Sequence, residues 1–356
     1  MAIITSYPGV YSSEDALPNF SISHSATVVP VFFTSRNEDG VPKDKAVQHY
    51  QSWADVKKAV PEDYWNMRYY NVLYLWFSHG GGECYLVDYS NVKDVAALDD
   101  VTLIVSTYRN EFVIPQIPLL TGPGKNRFVL LDGPEKRITP DSVPAEVTAD
   151  LPESPYAAAW YPGVYSDKST IVIPPSVIAA ISIAKTDRTR GVWKAPANVA
   201  VNGVTPRFPV SDDLQGRFTQ GKALNMIRTF PGMGTVMWGS RTLDDSDNWR
   251  YIPVRRLFSM VEQDVKAALN KLVFEANSQP TWLRVKAAVD SYLYRLWQQG
   301  ALLGNKEDEA WFVQIGKDIT MTDEDIRQGK MVVNVGLAAV RPAEFILLQF
   351  RQDIAQ

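Results

Sequence analysis

Ala26-Thr27-Val28-Val29-Pro30-Val31-Phe32-Phe33 is an apolar run rich in β-branched and aromatic residues, and it reads as a strand buried on both faces. Helix and strand alternate after it. Residues 52–60 form a short helix capped by Ser52, residues 66–77 an aromatic-rich helix, and Cys84-Tyr85-Leu86-Val87-Asp88 a second buried strand. Further strands are expected at 101–106, 127–132 and 156–160. A surface loop or short helix is expected over 138–155, where Pro, Asp and Glu accumulate. Strands separated in this way need crossover connections, so the first half of the chain is expected to be an α/β layer with parallel pairing.

Beyond residue 190 the pattern changes and makes the class mixed α+β overall. Residues 191–213 are polar, contain Pro and Gly and show no period, as functional passages or interfaces do. Two amphipathic helices come next. Residues 255–272 place Leu257, Val261, Val265, Ala268, Leu269 and Leu272 on one face; residues 281–299 do the same with Trp282, Val285, Val289, Leu293, Leu296 and Trp297, and Gly300 stops the helix. Trp311-Phe312-Val313-Gln314-Ile315 is a strand. Thr322 then caps a helix whose first turn holds Asp323, Glu324 and Asp325, where the dipole favours acid.

The two ends are unusually apolar. Tyr7-Pro8-Gly9-Val10-Tyr11 lies near the start; residues 331–339 and then Phe345-Ile346-Leu347-Leu348-Gln349-Phe350 lie near the end. Ordering a terminus costs roughly 1–2 kcal/mol per residue in backbone entropy, so polar, frayed ends are the rule. Apolar terminal strands pair inside their own fold or add to the sheet of another subunit. Pro8 would stop such an edge from templating further pairing on its N–H side. The expected organisation is an arm at 1–20, an α/β domain at 21–190, an α+β core at 191–335 and a second arm at 336–356. The sequence YPGVYS occurs at 7–12 and again at 161–166, but nothing flanking the copies agrees, and shared turn chemistry explains it.

Composition narrows the function. The chain has 356 residues, enough for a large core, and its net charge of −4 argues against nucleic acid as the main partner. No window approaches the ~18 consecutive apolar residues of a membrane span, and the opening residues carry no secretory pattern, so synthesis is expected to end in the cytosol without membrane insertion. Cys84 is the single cysteine, which excludes an internal disulfide and a cysteine metal cluster. His24, His49 and His79 stand at no metal-ligand spacing. His79-Gly80-Gly81-Gly82 follows a helix and precedes a strand, the reverse of a phosphate loop, and reads as a helix stop. No cofactor is expected.

The charged constellation is Asp187, Arg188, Arg190 and Trp193 within residues 185–198, joined by Arg241 and by Trp249, Arg250, Arg255 and Arg256. An α/β enzyme would use Asp187 as acid or base and Arg188 and Arg190 to hold an anion, but neither a nucleophile nor a histidine accompanies them. Arg and Trp are also the residues of interface hot spots and of buried ion pairs, and that role is the expected one.

These residues also carry a resemblance. The opening PGVY with Glu14 and Asp15, PPS at 174–176, TDRTRGVWKAPAN at 186–198, WGSRTL at 238–243, DNWRYIPVRRLF at 247–258, FEAN at 274–277 and GLAAVRPAEFILLQF at 336–350 together resemble the contractile tail sheath family. That family is shared by myovirus tails, R-type pyocins and phage-like injection particles. The length and the opening are most similar to sheath subunits of extracellular contractile injection systems, of the antifeeding-prophage and Photorhabdus virulence-cassette type; a phage tail or pyocin sheath is the alternative. The Gly and Ser of WGSRTL and Ala276 depart mildly from the family pattern. The resemblance implies terminal arms that complete a sheet shared with neighbours, a helical homopolymer with paralogous subunits as possible co-members, and an inner tube, a baseplate and a terminator cap as partners. It also implies assembly in the bacterial cytoplasm, release within an extracellular particle, and contraction from a metastable state. Asp323, Glu324 and Asp325 are the candidates for facing the tube; stabilising their own helix is the competing role.

Overall fold

Alternation of side chains decides what each strand lends to the core. In the computed structural model, which describes residues 21–35, 47–167 and 169–344, Val31 and Phe33 face one layer while Phe32 faces the other. The strands are β1 (Pro30–Thr34), β2 (Val47–Tyr50), β3 (Cys84–Asp88), β4 (Leu103–Val105), β5 (Phe128–Asp132), β6 (Ala157–Tyr161), β7 (Val164–Ser166), β8 (Ser169–Ile173), β9 (Val199–Ala200), β10 (Val204–Pro206), β11 (Leu224–Phe230), β12 (Gly234–Trp238), β13 (Trp311–Gln314) and β14 (Asn334–Leu337). Nine of them form one sheet in the order β2-β3-β1-β4-β5-β6-β11-β12-β9. Its centre, from β3 to β11, is parallel, and β2, β12 and β9 join antiparallel. The expected α/β layer with parallel pairing is therefore present. Strands from beyond residue 190 belong to the same layer as those before it.

Helices cover one face: α1 (Trp53–Ala59), α2 (Arg68–Ser78) and α3 (Pro175–Arg190). The Ser52 hydroxyl accepts from the Asp55 N–H and caps α1 as expected. The α3 helix was not legible. Its first nine residues are all buried, Ser176 and Ser182 among them, so it has no amphipathic stripe to reveal it. Gly191 ends it at φ +95°, with the Trp193 ring where a Cβ would stand. One-turn helices and loops cover the other face.

A second body packs separately. Helices α4 (Ile252–Leu269) and α5 (Gln279–Gln298) lie against the two-stranded antiparallel sheet β13–β14, and they share a third core with Ile22 and Val192. Both helices start two or three residues before the apolar periodicity alone suggests, each with Pro in its first turn, where the missing N–H is not needed.

Asp132 ties the sheet to α3. Its buried carboxylate accepts from the Ser176 N–H (2.8 Å), the Tyr108 N–H (2.7 Å) and the hydroxyls of Ser176 (3.0 Å) and Ser106 (3.3 Å). Burial outweighs these bonds and pushes the carboxyl from 3.8 up to about 6. Because the folded value lies above the unfolded one, protonation favours the folded chain. This stabilisation is complete below pH ~4 and is lost as pH rises through about 6, a difference of about 3 kcal/mol. Denaturant unfolding of Asp132→Asn and of the wild type between pH 4 and pH 7 measures it. The wild type is expected to lose about 2 kcal/mol relative to the variant over that interval; parallel curves would refute the assignment.

Candidate functional site

Three arginines of the sequence constellation, Arg241, Arg255 and Arg256, meet on α4 and the segments around it. Arg256, in the first turns of α4, makes a two-pronged ion pair with Asp187 near the end of α3, at 2.9 and 2.7 Å, and also donates to the Thr27 carbonyl at 3.0 Å. Both side chains are nearly out of water, at 7 % and 4 % exposure. The neighbouring Arg255 is buried too. Its guanidinium lies 4.2 Å from the Trp249 ring centre and 4.9 Å from that of Tyr156, and it donates to Glu262 at 3.0 Å.

Arg241 reaches the far end of the described chain. It donates from Nε and Nη2 to the Glu344 carboxylate at 3.0 and 2.6 Å, and from Nη1 to the Thr219 carbonyl. The Tyr251 hydroxyl adds a third donor to Glu344 at 3.1 Å. Burial, with that carboxylate next to it, holds the Tyr251 phenol above its ordinary range. Arg250 stands apart, half-exposed and paired with Asp245 and Asp247. Arg188 donates to the Gly80 carbonyl and so fastens the helix-stop turn, whereas Arg190 is exposed. The structure thus does not gather Asp187, Arg188 and Arg190 around one cleft.

Asp264 was missed. It sits on the apolar stripe of α4 between Val261 and Val265, and a carboxylate at that position was the available signal. It accepts from the Ser25 N–H at 2.8 Å and the Tyr292 hydroxyl at 2.7 Å, with His24 Nδ1 at 3.3 Å. Burial and the Asp264 charge push the Tyr292 phenol up.

The small sheet offers open edges. Neither β13 nor β14 has a second strand partner among the described residues. One face packs Trp311, Val313, Val335 and Leu337 onto the helices; on the other, half-exposed Phe312 lies over Gly336, whose missing side chain makes room for the ring. Beside β14 runs an apolar groove of about 480 Å3, lined by Phe258, Val261, Val265, Leu269, Val333 and Leu337.

The acidic turn is exposed. Asp325 and Thr322 form a reciprocal capping box, Asp323 pairs with Lys317 at 2.7 Å and Glu324 with Arg327 at 3.0 Å. The arm residues Tyr7, Pro8, Gly9, Val10 and Tyr11, and Phe345, Ile346, Leu347, Leu348 and Phe350, lie outside the described residues. Among those described, no group of three or more His, Cys, Asp and Glu is set to hold a metal, and no helix is long and apolar enough to cross a membrane.

Comparison with known proteins gives these features a context. Residues 244–353 match the family model for the phage tail sheath C-terminal domain. The whole chain is similar to a chain of the PVC sheath complex of an extracellular contractile injection system in its contracted state, at 47 % identity over 99 % of both chains with a TM-score of 0.90. A chain of the anti-feeding prophage baseplate in contracted state is 57 % identical over 98 % of this chain and 99 % of that one, TM-score 0.89. A chain of the anti-feeding prophage helical sheath in contracted state is 41 % identical over 98 % and 100 %, TM-score 0.79. No curated protein matches the chain.

Proposed function

The chain belongs to the contractile tail sheath family, and on that footing we propose that it polymerises head to tail into a helical sheath around an inner tube and shortens to drive that tube through a target membrane. The observation that carries this reading is similarity at 47 % identity over 99 % of the chain to a contracted sheath. The likeness to PVC and anti-feeding prophage chains favours an extracellular injection particle over a phage tail or a pyocin.

The physical device is strand exchange. The edges of β13 and β14, which have no second strand partner among the described residues, supply backbone groups, the groove beside β14 supplies an apolar floor, and the apolar arms at 7–11 and 345–350 of neighbouring copies are the segments that would pair there. Such an exchange is heterologous, so it propagates as a helix. Contraction passes from a metastable lattice to one of lower free energy, with subunits moving nearly as rigid bodies. Work then comes from contact energy and requires neither a cofactor nor hydrolysis. Baseplate, cap and paralogous subunits complete the particle, which is assembled in the cytoplasm and acts outside the cell. Asp323, Glu324 and Asp325 face the tube in this reading, on top of their contacts within the subunit.

Electron microscopy of the full chain with its tube protein tests both parts. Striated cylinders that shorten on triggering are expected, and a soluble monomer that turns over a small molecule would overturn the reading. Reversing Asp323, Glu324 and Asp325 to Lys is expected to prevent assembly on the tube; normal assembly would leave those residues a capping role only.

A further inference from the structure

Both segments that lead out of the described body are fastened at α4, with α5 and the segment after β12 adding contacts. On the N-terminal side, the Ile22 carbonyl accepts from Arg295 at 3.0 Å, the Ser25 N–H donates to Asp264, and the Thr27 carbonyl accepts from Arg256. Ile22 itself is buried in the core between α4 and α5. On the C-terminal side, Glu344 is held by Arg241 and by Tyr251, the residue that caps α4. Three of these contacts lie on one rod, Tyr251 at its start, Arg256 one turn in and Asp264 two turns further, while Arg295 is on α5 and Arg241 in the segment after β12.

We propose that α4 is the tension member of the subunit, joining the root of the N-terminal arm to the root of the C-terminal arm so that pull between neighbouring copies passes along the helix. This rests on the strand-exchange reading above. The alternative route would cross the nine-stranded sheet through its loops. The fastenings also differ. Asp264 is shut off from water and the N-terminal root is pinned at three successive points, whereas Glu344 is 24 % exposed and pinned at one residue. The C-terminal root is consequently the one that yields first under load.

Phenol deletions test this with matched chemistry. Tyr251→Phe and Tyr292→Phe each remove one hydroxyl donated to a fastening carboxylate; Tyr85→Phe removes the same kind of bond, to Asp100, which takes part in neither fastening. Sheaths of the full-length variants are assembled, triggered and imaged, and broken cylinders are counted. Tyr251→Phe and Tyr292→Phe are expected to break on the order of tenfold more often than wild type, as loss of a hydrogen bond to a charged group implies, with Tyr251→Phe the worse. Tyr85→Phe should match wild type. Equal breakage in all four overturns the proposal. Glu344→Ala and Asp264→Ala are the stronger arms: a variant monomer that unfolds like wild type yet forms no cylinder, or only fragments, supports it, and intact contraction overturns it. Failure of the wild type itself to form cylinders would instead count against the sheath reading.

Discussion

Deleting residues 1–15 is expected to leave a folded subunit that no longer forms cylinders. The three apolar cores draw on residues from Ile22 to Ala339, and the first fastening of the N-terminal segment is at Ile22, so the truncation removes no described core residue. It does remove Tyr7-Pro8-Gly9-Val10-Tyr11, the segment we propose is lent to a neighbour. Each backbone bond in an added strand contributes about 1 kcal/mol net, and every subunit in a sheath depends on the same contact, so loss of polymer should be complete. Size-exclusion chromatography and thermal unfolding establish the folded monomer, and electron micrographs establish the missing cylinders. Cylinders of normal length from the truncated chain would refute arm exchange through this segment.

The second large effect concerns stability. Asp187→Ala is expected to destabilise the subunit by about 3–5 kcal/mol, because it leaves the Arg256 guanidinium buried with the Thr27 carbonyl as its one acceptor among the described residues. Arg256→Ala should cost a similar amount by stranding Asp187. Against a total stability of roughly 5–15 kcal/mol this removes a fifth or more of what holds the fold. Replacing both partners by apolar residues, Asp187→Leu with Arg256→Met, should recover most of the loss, since neither charge then needs a partner. Arg256→Lys should not, because an ammonium cannot make the two-pronged contact. Urea unfolding of the four variants decides the matter, and a single-Ala variant within 1 kcal/mol of wild type would contradict the burial argument.

Much of this protein was legible from its sequence because the signals are local. An apolar run marks β3, alternation marks β13, a period of about 3.6 residues marks α4 and α5, and Ser52 and Thr322 mark helix starts through bonds to residues three positions on. The ordered run of short motifs indicated the family independently of any fold argument. Where a stripe was missing the reading failed: α3 is surrounded by protein, so burial erased the contrast on which helical periodicity depends.

Sequence alone therefore determined most classes of element, the exclusion of an internal disulfide and the kinship with sheath proteins. Only the tertiary structure decided which charges meet. Arg241 finds Glu344 across 103 positions and Asp264 finds Ser25 across 239, and no spacing rule spans such gaps. The physical reason is that a buried charge must be matched wherever packing brings a partner, and packing is settled by apolar surfaces distant in the chain.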